Sequence, residues 1–482
     1  MNTESSITRE KIEPTILTIF GATGELSSTR LLPALHRLFA DKLLPGQFAI
    51  VGFARSPFSE KEFRGRVAGF VDGASDKFLQ KIYYSPGNFG EAADFKKLAQ
   101  KIQKLESKRH SCANRLFYFA TLPSHYQTIS HELESAGLLH GCARHKRTTR
   151  VIVEKPFGSD LKSAQKLDLT LQKYFREDQI YRIDHYLGKE TVQNLQTARF
   201  ANSIFEPVWN SGYIDHIQIS SMQETGIGNR GAFYEQTGAI RDIIQNHLMQ
   251  LLALIAMEQP ADLSAGAIRD ERAKVIRAIR KPSPADLKND LVIGQYQAYR
   301  KESNVPPRSK VETYAAMKLY IDNARWRGVP FYFRTGKFIS RKMTRISIHF
   351  KPHMPHLFAD QPVIPNVLTF EIQPNEGIFL GLAAKFPGFG IRLHPVTMEL
   401  GYHSAFHGEF PEAYERLLLD FAEGDQRLFA RSDEIEESWK YIDEVEKFMA
   451  KGHAQLQSYE RGSWGPAAAE RMMVRDGRSW YN

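Results

Sequence analysis

Only two of the 482 residues are cysteine, Cys112 and Cys142, so no disulfide framework is expected, and a chain of this size in a reducing cytosol has no need of one. No stretch stays apolar for the about 20 residues that a bilayer crossing requires; the longest, Leu248 to Met257, is interrupted by Gln250 and reads as a buried helix. Met1 to Pro14 is polar and carries both charge signs, which excludes the apolar core of a signal peptide and the acid-poor texture of a transit peptide. A cytoplasmic location is therefore expected, with no membrane partner. Repeats of fixed period and low-complexity tracts are also missing, which excludes solenoid and fibrous architectures. No Cys/His set has zinc spacing; Cys142 and His145 lack further ligands nearby, and no metal is expected.

What is there is an ordinary globular composition, 42% hydrophobic and 25% charged, enough for two or three domains. The net charge is +9, from 64 Lys and Arg against 55 Asp and Glu. Such an excess suits nucleic acid, an anionic membrane or small phosphorylated ligands. The densest basic cluster, Arg144-His145-Lys146-Arg147 with Arg150, precedes a Val-Ile-Val strand and reads as a solvated loop. No RNA-binding or helix-turn-helix signature accompanies it, so no nucleic-acid partner is expected.

The first chemical signal is Thr15 to Phe20, an apolar β-branched run, followed at once by Gly21-Ala22-Thr23-Gly24-Glu25-Leu26-Ser27 and then by Leu31, Leu32, Leu35, Leu38 and Phe39 at helical spacing. Strand, glycine turn and helix form the first unit of a dinucleotide-binding fold, in which the glycines let backbone amides approach a pyrophosphate. By itself the motif is equally at home in an ordinary turn. The next strand, Phe48 to Phe53, ends in Ala54-Arg55. An acidic residue there would bond the ribose hydroxyls of NAD, whereas Arg55 suits a 2′-phosphate and so favours NADP. Arg30 is a second candidate for that phosphate, or simply an exposed helix charge. Strands at Leu116 to Thr121 and Arg150 to Glu154, separated by helical stretches such as Tyr126 to Leu139, extend a doubly wound parallel sheet. Beyond about residue 180 the texture changes to one long helical region, Ala239 to Met257, and alternating segments at Asp215 to Met222, Arg345 to Phe350 and Val367 to Ile372. These predict a larger domain with a mostly antiparallel sheet and helices. The expected division is 1–184 for a Rossmann-like domain and 185–482 for an α+β domain.

Three motifs concentrate reactive side chains. Glu154-Lys155-Pro156-Phe157-Gly158 closes a strand, where open α/β sheets bind ligands, and its proline permits a cis bond. Tyr181 to Glu190 packs Asp184, His185, Tyr186 and Lys189 together; if helical, it puts His185 and Lys189 on one face, suited to a phosphate. Arg241 to Gln250 carries Asp242 and His247 on a helix with an apolar stripe, where a histidine is as readily a satisfied core residue as a catalyst.

Taken in order, Gly21 to Leu26, Glu154 to Gly158, Arg182-Ile-Asp-His-Tyr-Leu-Gly-Lys-Glu190, Gln245-Asn246-His247, Gly336-Lys337, Gln373-Pro374-Asn375-Glu376, Ala413 to Leu418 and Arg431 to Glu434 resemble the glucose-6-phosphate dehydrogenase family from end to end. The resemblance implies oxidation of D-glucose 6-phosphate at C1 to 6-phospho-D-glucono-1,5-lactone with reduction of NADP, the opening step of the oxidative pentose phosphate pathway, with NAD use disfavoured. It implies His247 as general base and Asp184 as the carboxylate that holds its imidazole. Lys155 would contact both sugar and cofactor; His185, Tyr186, Lys189, Lys337 and Lys342 would grip the 6-phosphate; Glu224, Asp242 and Gln373 would bond the sugar hydroxyls. Gly21, Ala22, Thr23, Gly24, Glu25, Leu26, Arg30 and Arg55 would form the cofactor site. A homodimer or dimer of dimers through the large sheet domain is implied as well. The alternatives are a dehydrogenase for another hexose 6-phosphate and a catalytically silent NADPH-binding homologue.

Three departures stand out. The family usually has Asp at Glu25 and basic residues at Ser28 and Thr29. The segment from Glu224 to Arg230 is one residue short of the common form. Glu371 stands where animal members carry an arginine for a second, structural NADP, so no second cofactor site is expected.

Overall fold

The computed structural model describes residues 13–107, 112–140, 148–352, 356–358, 360–406 and 408–482. Cys142 and the basic cluster Arg144 to Arg147 lie outside the described residues. Cys112 is disulfide-bonded, which corrects the expectation of a chain without bridges. Arg150 is not part of a solvated loop: its guanidinium donates to the carbonyls of Phe421 and Ala422, both at 3.1 Å, at the end of a helix where unpaired carbonyls attract a cation.

Two compact units divide the chain: Met1–Gly158, Lys162–Gly188 and Pro411–Ser432 in one, and Ser159–Leu161, Lys189–Phe410 and Asp433–Asn482 in the other. The expected single boundary at 184/185 thus differs from a chain that passes between units more than once. Pro411–Ser432 joins the first unit for a packing reason. Its helix Ala413–Glu423 buries Leu417, Leu418 and Phe421, and Tyr181 meets the rings of Phe421 and Phe429 edge-on at 5.0 and 4.8 Å.

The first unit is built on six parallel strands, β1 (Thr15–Phe20), β2 (Phe48–Ala54), β3 (Ile82–Pro86), β4 (Asn114–Phe119), β5 (Thr149–Val153) and β6 (Ile180–Arg182), in the order β3-β2-β1-β4-β5-β6. The near-continuous apolar runs of β1, β2 and β4 follow from helices covering both faces of a parallel sheet. The order reverses between β1 and β4, the switch point at which such sheets bind dinucleotides. β3 and β6 escaped sequence reading: β3 is only five residues and includes Ser85 and Pro86, and β6 lies inside a run read for its chemistry.

Among its described residues the second unit carries nine strands: β7 (Ile214–Met222), β8 (Leu291–Tyr296), β9 (Tyr314–Tyr320), β10 (Pro330–Gly336), β11 (Met343–Phe350), β12 (Val367–Gln373), β13 (Gly377–Lys385), β14 (Leu393–Gly401) and β15 (Leu456–Tyr459). Their order is β14-β13-β12-β11-β7-β10-β9-β8-β15. The sheet is mostly antiparallel, as expected, but β7 and β10 pair in parallel, with Gly336 opposite Met222. The expected continuous helix from Ala239 to Met257 is instead Gly231–Ala239, a π-helical segment Ile240–Leu248 and Met249–Ala256. Met249–Ala256 is buried on every side, consistent with seven apolar residues among its eight, and Gln250 is buried with them.

Arg182, 3% exposed, binds Asp168 and Glu177, the latter at 2.6 Å. It ties β6 to the helix Leu161–Gln172, so within its nine-residue motif it is an architectural residue. Arg182→Met is expected to lower unfolding free energy by about 3–5 kcal/mol, the cost of stranding a buried carboxylate, measured by urea denaturation.

Candidate active site

In the first unit the candidate residues follow the carboxyl ends of parallel strands. After β1, Gly21 adopts φ 86, and a Cβ there would stand 2.4 Å from the Ala120 carbonyl oxygen. Its bareness therefore serves strand packing. Gly24 is different: only the Gly21 oxygen, at 3.2 Å, lies near a Cβ position, so its bareness leaves room for a ligand. Ser27 is buried and its hydroxyl donates to the Gly21 carbonyl at 3.1 Å, closing the turn. Ala22 is buried, while Thr23, Gly24 and Glu25 are exposed and Leu26 is half-buried. Ser28 and Thr29 turn their hydroxyls back onto the Glu25 carbonyl, at 3.0 and 2.8 Å. The short hydroxyls thus brace the turn where longer basic side chains would reach outward.

Arg55, directly after β2, is exposed and forms no ion pair among the described residues. The strand end beneath it is held by Tyr84, whose phenol donates to the carbonyls of Ala54 (3.1 Å) and Ser56 (2.6 Å). Arg30 is exposed and lies 3.7 Å from Glu412, a separation at which an exposed pair is worth little. The slender turn, the helix start and the exposed Arg55 fit a dinucleotide phosphate.

After β5, the Glu154 carboxylate accepts from the phenols of Tyr118 (2.5 Å) and Tyr414 (3.2 Å). Burial raises its pKa above the ordinary carboxylate range, while the two phenols pull it back. This anchored residue immediately precedes Lys155, and the Lys155–Pro156 peptide is cis, as the motif permitted. After β6, Asp184 is 2% exposed and accepts the Tyr186 amide at 3.0 Å. The His185 ring lies nearly parallel to Tyr414 (6.4 Å, 9°) and edge-on to Tyr186 (5.1 Å, 71°). The conditional helix across this motif is corrected: Asp184 to Gly188 forms turns, and the helix starts only at Glu190 with Lys189 as its cap. A Cβ at Gly188 would meet the Ala413 carbonyl oxygen at 2.7 Å, so the tight turn requires glycine.

In the second unit, parallel pairing brings the carboxyl ends of β7 and β10 side by side. Gln223 follows β7, and Lys337 follows β10; the Lys337 ammonium donates to Gln223 Oε1 at 2.5 Å and lies 3.6 Å from Asp242. It also sits 5.3 Å from the Tyr234 ring centroid, a cation–π distance. Lys337 is 2% exposed. At the same end of the sheet, Thr344 of β11 is opposite Gln373 of β12. Gln373 donates to the Thr344 hydroxyl at 2.9 Å and accepts from Lys189 at 3.0 Å. Glu224 and Lys342 flank this end, both exposed and without an ion pair among the described residues.

Asp242 and His247 lie on the π-helical segment, both buried. Asn246 stabilises it, accepting the His247 amide at 2.6 Å and donating to the Arg241 carbonyl at 3.1 Å. π-Helical turns recur at functional sites because they shift side chains off the regular helical register. Sequence reasoning missed Gln223, Thr344 and Tyr234; nearness to a strand end could have marked the first two, and no local signal marks Tyr234, which lies on the helix Gly231–Ala239.

Residues 18–194 match the family profile described as Glucose-6-phosphate dehydrogenase, NAD binding domain, and residues 196–481 that described as Glucose-6-phosphate dehydrogenase, C-terminal domain. The chain belongs to the glucose-6-phosphate dehydrogenase family. It is 41% identical over 488 residues to the glucose-6-phosphate 1-dehydrogenase of Aggregatibacter actinomycetemcomitans, covering 98% of each chain. The Bacillus subtilis glucose-6-phosphate 1-dehydrogenase is 40% identical over 485 residues, covering 97% of this chain and 98% of that one. A solved glucose-6-phosphate dehydrogenase in complex with its substrate glucose-6-phosphate superposes with a TM-score of 0.90 at 34% identity, covering 98% of this chain and 99% of its own. This family member thus has a nicotinamide-cofactor domain and belongs to a family of oxidoreductases acting on a hexose phosphate. No helix among the described residues is long and apolar enough to cross a membrane. Glu371, where animal members of the glucose-6-phosphate dehydrogenase family are expected to carry arginine, is buried here in an ion pair with Arg345 at 2.5 Å.

Proposed function

We propose that the chain oxidises D-glucose 6-phosphate at C1 to 6-phospho-D-glucono-1,5-lactone with NADP as acceptor, in the cytoplasm. The observation that carries this reading is the gathering of Lys189, Gln373, Lys337, Asp242 and the strand-end Gln223 at one end of the second sheet, in a chain of this family. Two ammonium groups beside amide and carboxylate acceptors are the chemistry that a phosphorylated polyol needs: cations for the phosphate, acceptors for the hydroxyls. His185, Tyr186 and Lys342 are assigned to the phosphate, and Glu224, Asp242 and Gln373 to the hydroxyls.

His247 takes the proton from the C1 hydroxyl as a general base. Asp184 is read as the carboxylate that fixes its tautomer and stabilises the imidazolium as it forms. The nicotinamide, when bound, accepts the hydride that leaves C1 with the bonding electron pair. Lys155 is assigned to the contact between sugar and cofactor. Gly24, the helix start behind it and Arg55 are assigned to the cofactor phosphates, together with Arg30.

A homodimer is part of the reading. Val396, Met398 and Leu400 alternate along β14, share one face, and are 39%, 62% and 41% exposed. Three large apolar side chains on one face of an edge strand call for a cover, and a second copy is the cover we assign.

NADPH absorbance is measured in parallel with glucose 6-phosphate, galactose 6-phosphate and free glucose. Turnover confined to the first supports the assignment; preference for galactose 6-phosphate makes the chain a dehydrogenase of another hexose phosphate, and none at all makes it a silent homologue. His247→Asn is expected to reduce kcat by about 10²–10⁴-fold with little change in KM, as for a group acting mainly in the transition state; a loss confined to KM refutes its role. Arg55→Ala is expected to weaken NADP by about 1.5–3 kcal/mol and leave NAD unchanged; equal losses for both show that Arg55 does not read the 2′-phosphate. Met398→Asp is expected to convert a sedimenting dimer into monomer, and a monomeric wild-type chain at micromolar concentration overturns the dimer.

A further inference from the structure

The segment Ile240–Leu248 begins in a special backbone. Gly238 holds φ 63 and ψ −174, a conformation that side-chain-bearing residues do not sustain. The turn it makes sends the Ala239 amide to the Glu312 backbone carbonyl and the Ile240 amide to Glu312 Oε1, both at 3.0 Å. A Cβ on Gly238 would stand 2.2 Å from that carboxyl oxygen. Glu312 therefore occupies the space the glycine leaves and satisfies two amides that the start of the segment would otherwise orphan. The neighbouring Thr313 holds the opposite side. Its carbonyl accepts the Lys337 amide at 3.0 Å, and its hydroxyl meets the Tyr459 phenol at 2.9 Å, which donates to the Lys337 carbonyl at 2.7 Å. One dipeptide thus braces both the segment carrying Asp242 and the strand end carrying Lys337.

We propose that Glu312 is a positioning residue for the oxidation, its carboxyl group capping the Ile240–Leu248 segment and so setting the placement of Asp242 and His247. This rests on the roles given to those two residues above. The charged and titratable groups that act on the carboxyl include Tyr234 on the helix Gly231–Ala239, Arg241 on the capped segment, Glu446 on the helix Ser432–Ala450, and Tyr299. Arg241 is clamped by Glu446 at 2.9 and 2.8 Å, which blunts its pull on Glu312. Burial above all, and Glu446 next, push the Glu312 pKa up to about 7. The cap therefore changes charge near neutrality, and its ionised form is the stronger acceptor and the better match for a helix start.

The test measures kcat for the wild type, Glu312→Gln and Glu312→Ala from pH 5.5 to 8.5, with exchange protection of the Ile240 amide in the ligand-free protein. Glutamine keeps an acceptor and is neutral throughout. The Gln to wild-type ratio of kcat is expected near one at low pH, falling to about one-third at high pH as only the wild type ionises. Glu312→Ala is expected to lose about tenfold in kcat and a similar factor in Ile240 protection, the scale of a lost buried bond. A pH-independent ratio overturns the proposal, as does a folded alanine variant with wild-type kcat. Should that variant not fold, the glutamine ratio decides. If the wild type does not turn over glucose 6-phosphate, the functional reading fails separately, and Ile240 protection still decides whether Glu312 is the cap: unchanged protection in both variants refutes it.

Discussion

Burying the Lys337 ammonium is the constraint on which the second unit's candidate site depends. An isolated charge with that little exposure would cost several kcal/mol, and the structure compensates with Gln223, Asp242 and the face of Tyr234. Each partner reaches Lys337 for a definite topological reason. Gln223 is there because β7 and β10 run in parallel and finish at the same edge. Asp242 is there because the chain breaks at Gly238 and restarts as a segment held by Glu312. The parallel pair inside an otherwise mostly antiparallel sheet is thus the feature that creates the charged end.

The first unit solves a different problem with the same economy of geometry. Its sheet is buried on both faces, so only strand ends are open to ligands. Those ends are held from behind. Tyr84 secures the end of β2 before Arg55, Ser27 closes the turn after β1, and the two phenols on Glu154 secure the end of β5 before Lys155. At Arg55 and Lys155 the anchoring bond falls on a neighbouring residue, one place away from the candidate side chain. The polar groups therefore order the site without entering it.

Much of this was legible in the chain. β1, β2, β4 and β5 appear as apolar runs bounded by turn residues because a doubly covered sheet demands them, and the motif order along the chain carries the family. β3 and β6 were hidden by brevity, and β10 by burial at every position, which leaves no alternation to read. The conditional helix over His185 and Lys189 illustrates the limit of spacing arguments. Helical periodicity was assumed where Gly188 must approach the Ala413 carbonyl, and that carbonyl is more than two hundred residues away in the chain. The bridge at Cys112 was missed because compartment arithmetic weighed cysteine only as a composition.

By itself, the sequence determined the class of each unit, a nicotinamide cofactor for the first and the residue types available for chemistry, because apolar periodicity, glycine turns and charged motifs are local properties. Tertiary structure decided which of those residues act as architecture and which remain free for a ligand. Gly21 is bare for packing and Gly24 is not; Arg182 is consumed by Asp168 and Glu177 while Arg55 stays open. It also decided the parallel pairing of β7 with β10 and the cap at Glu312, since both join segments separated by more than seventy residues, and no local pattern records a partner at that distance.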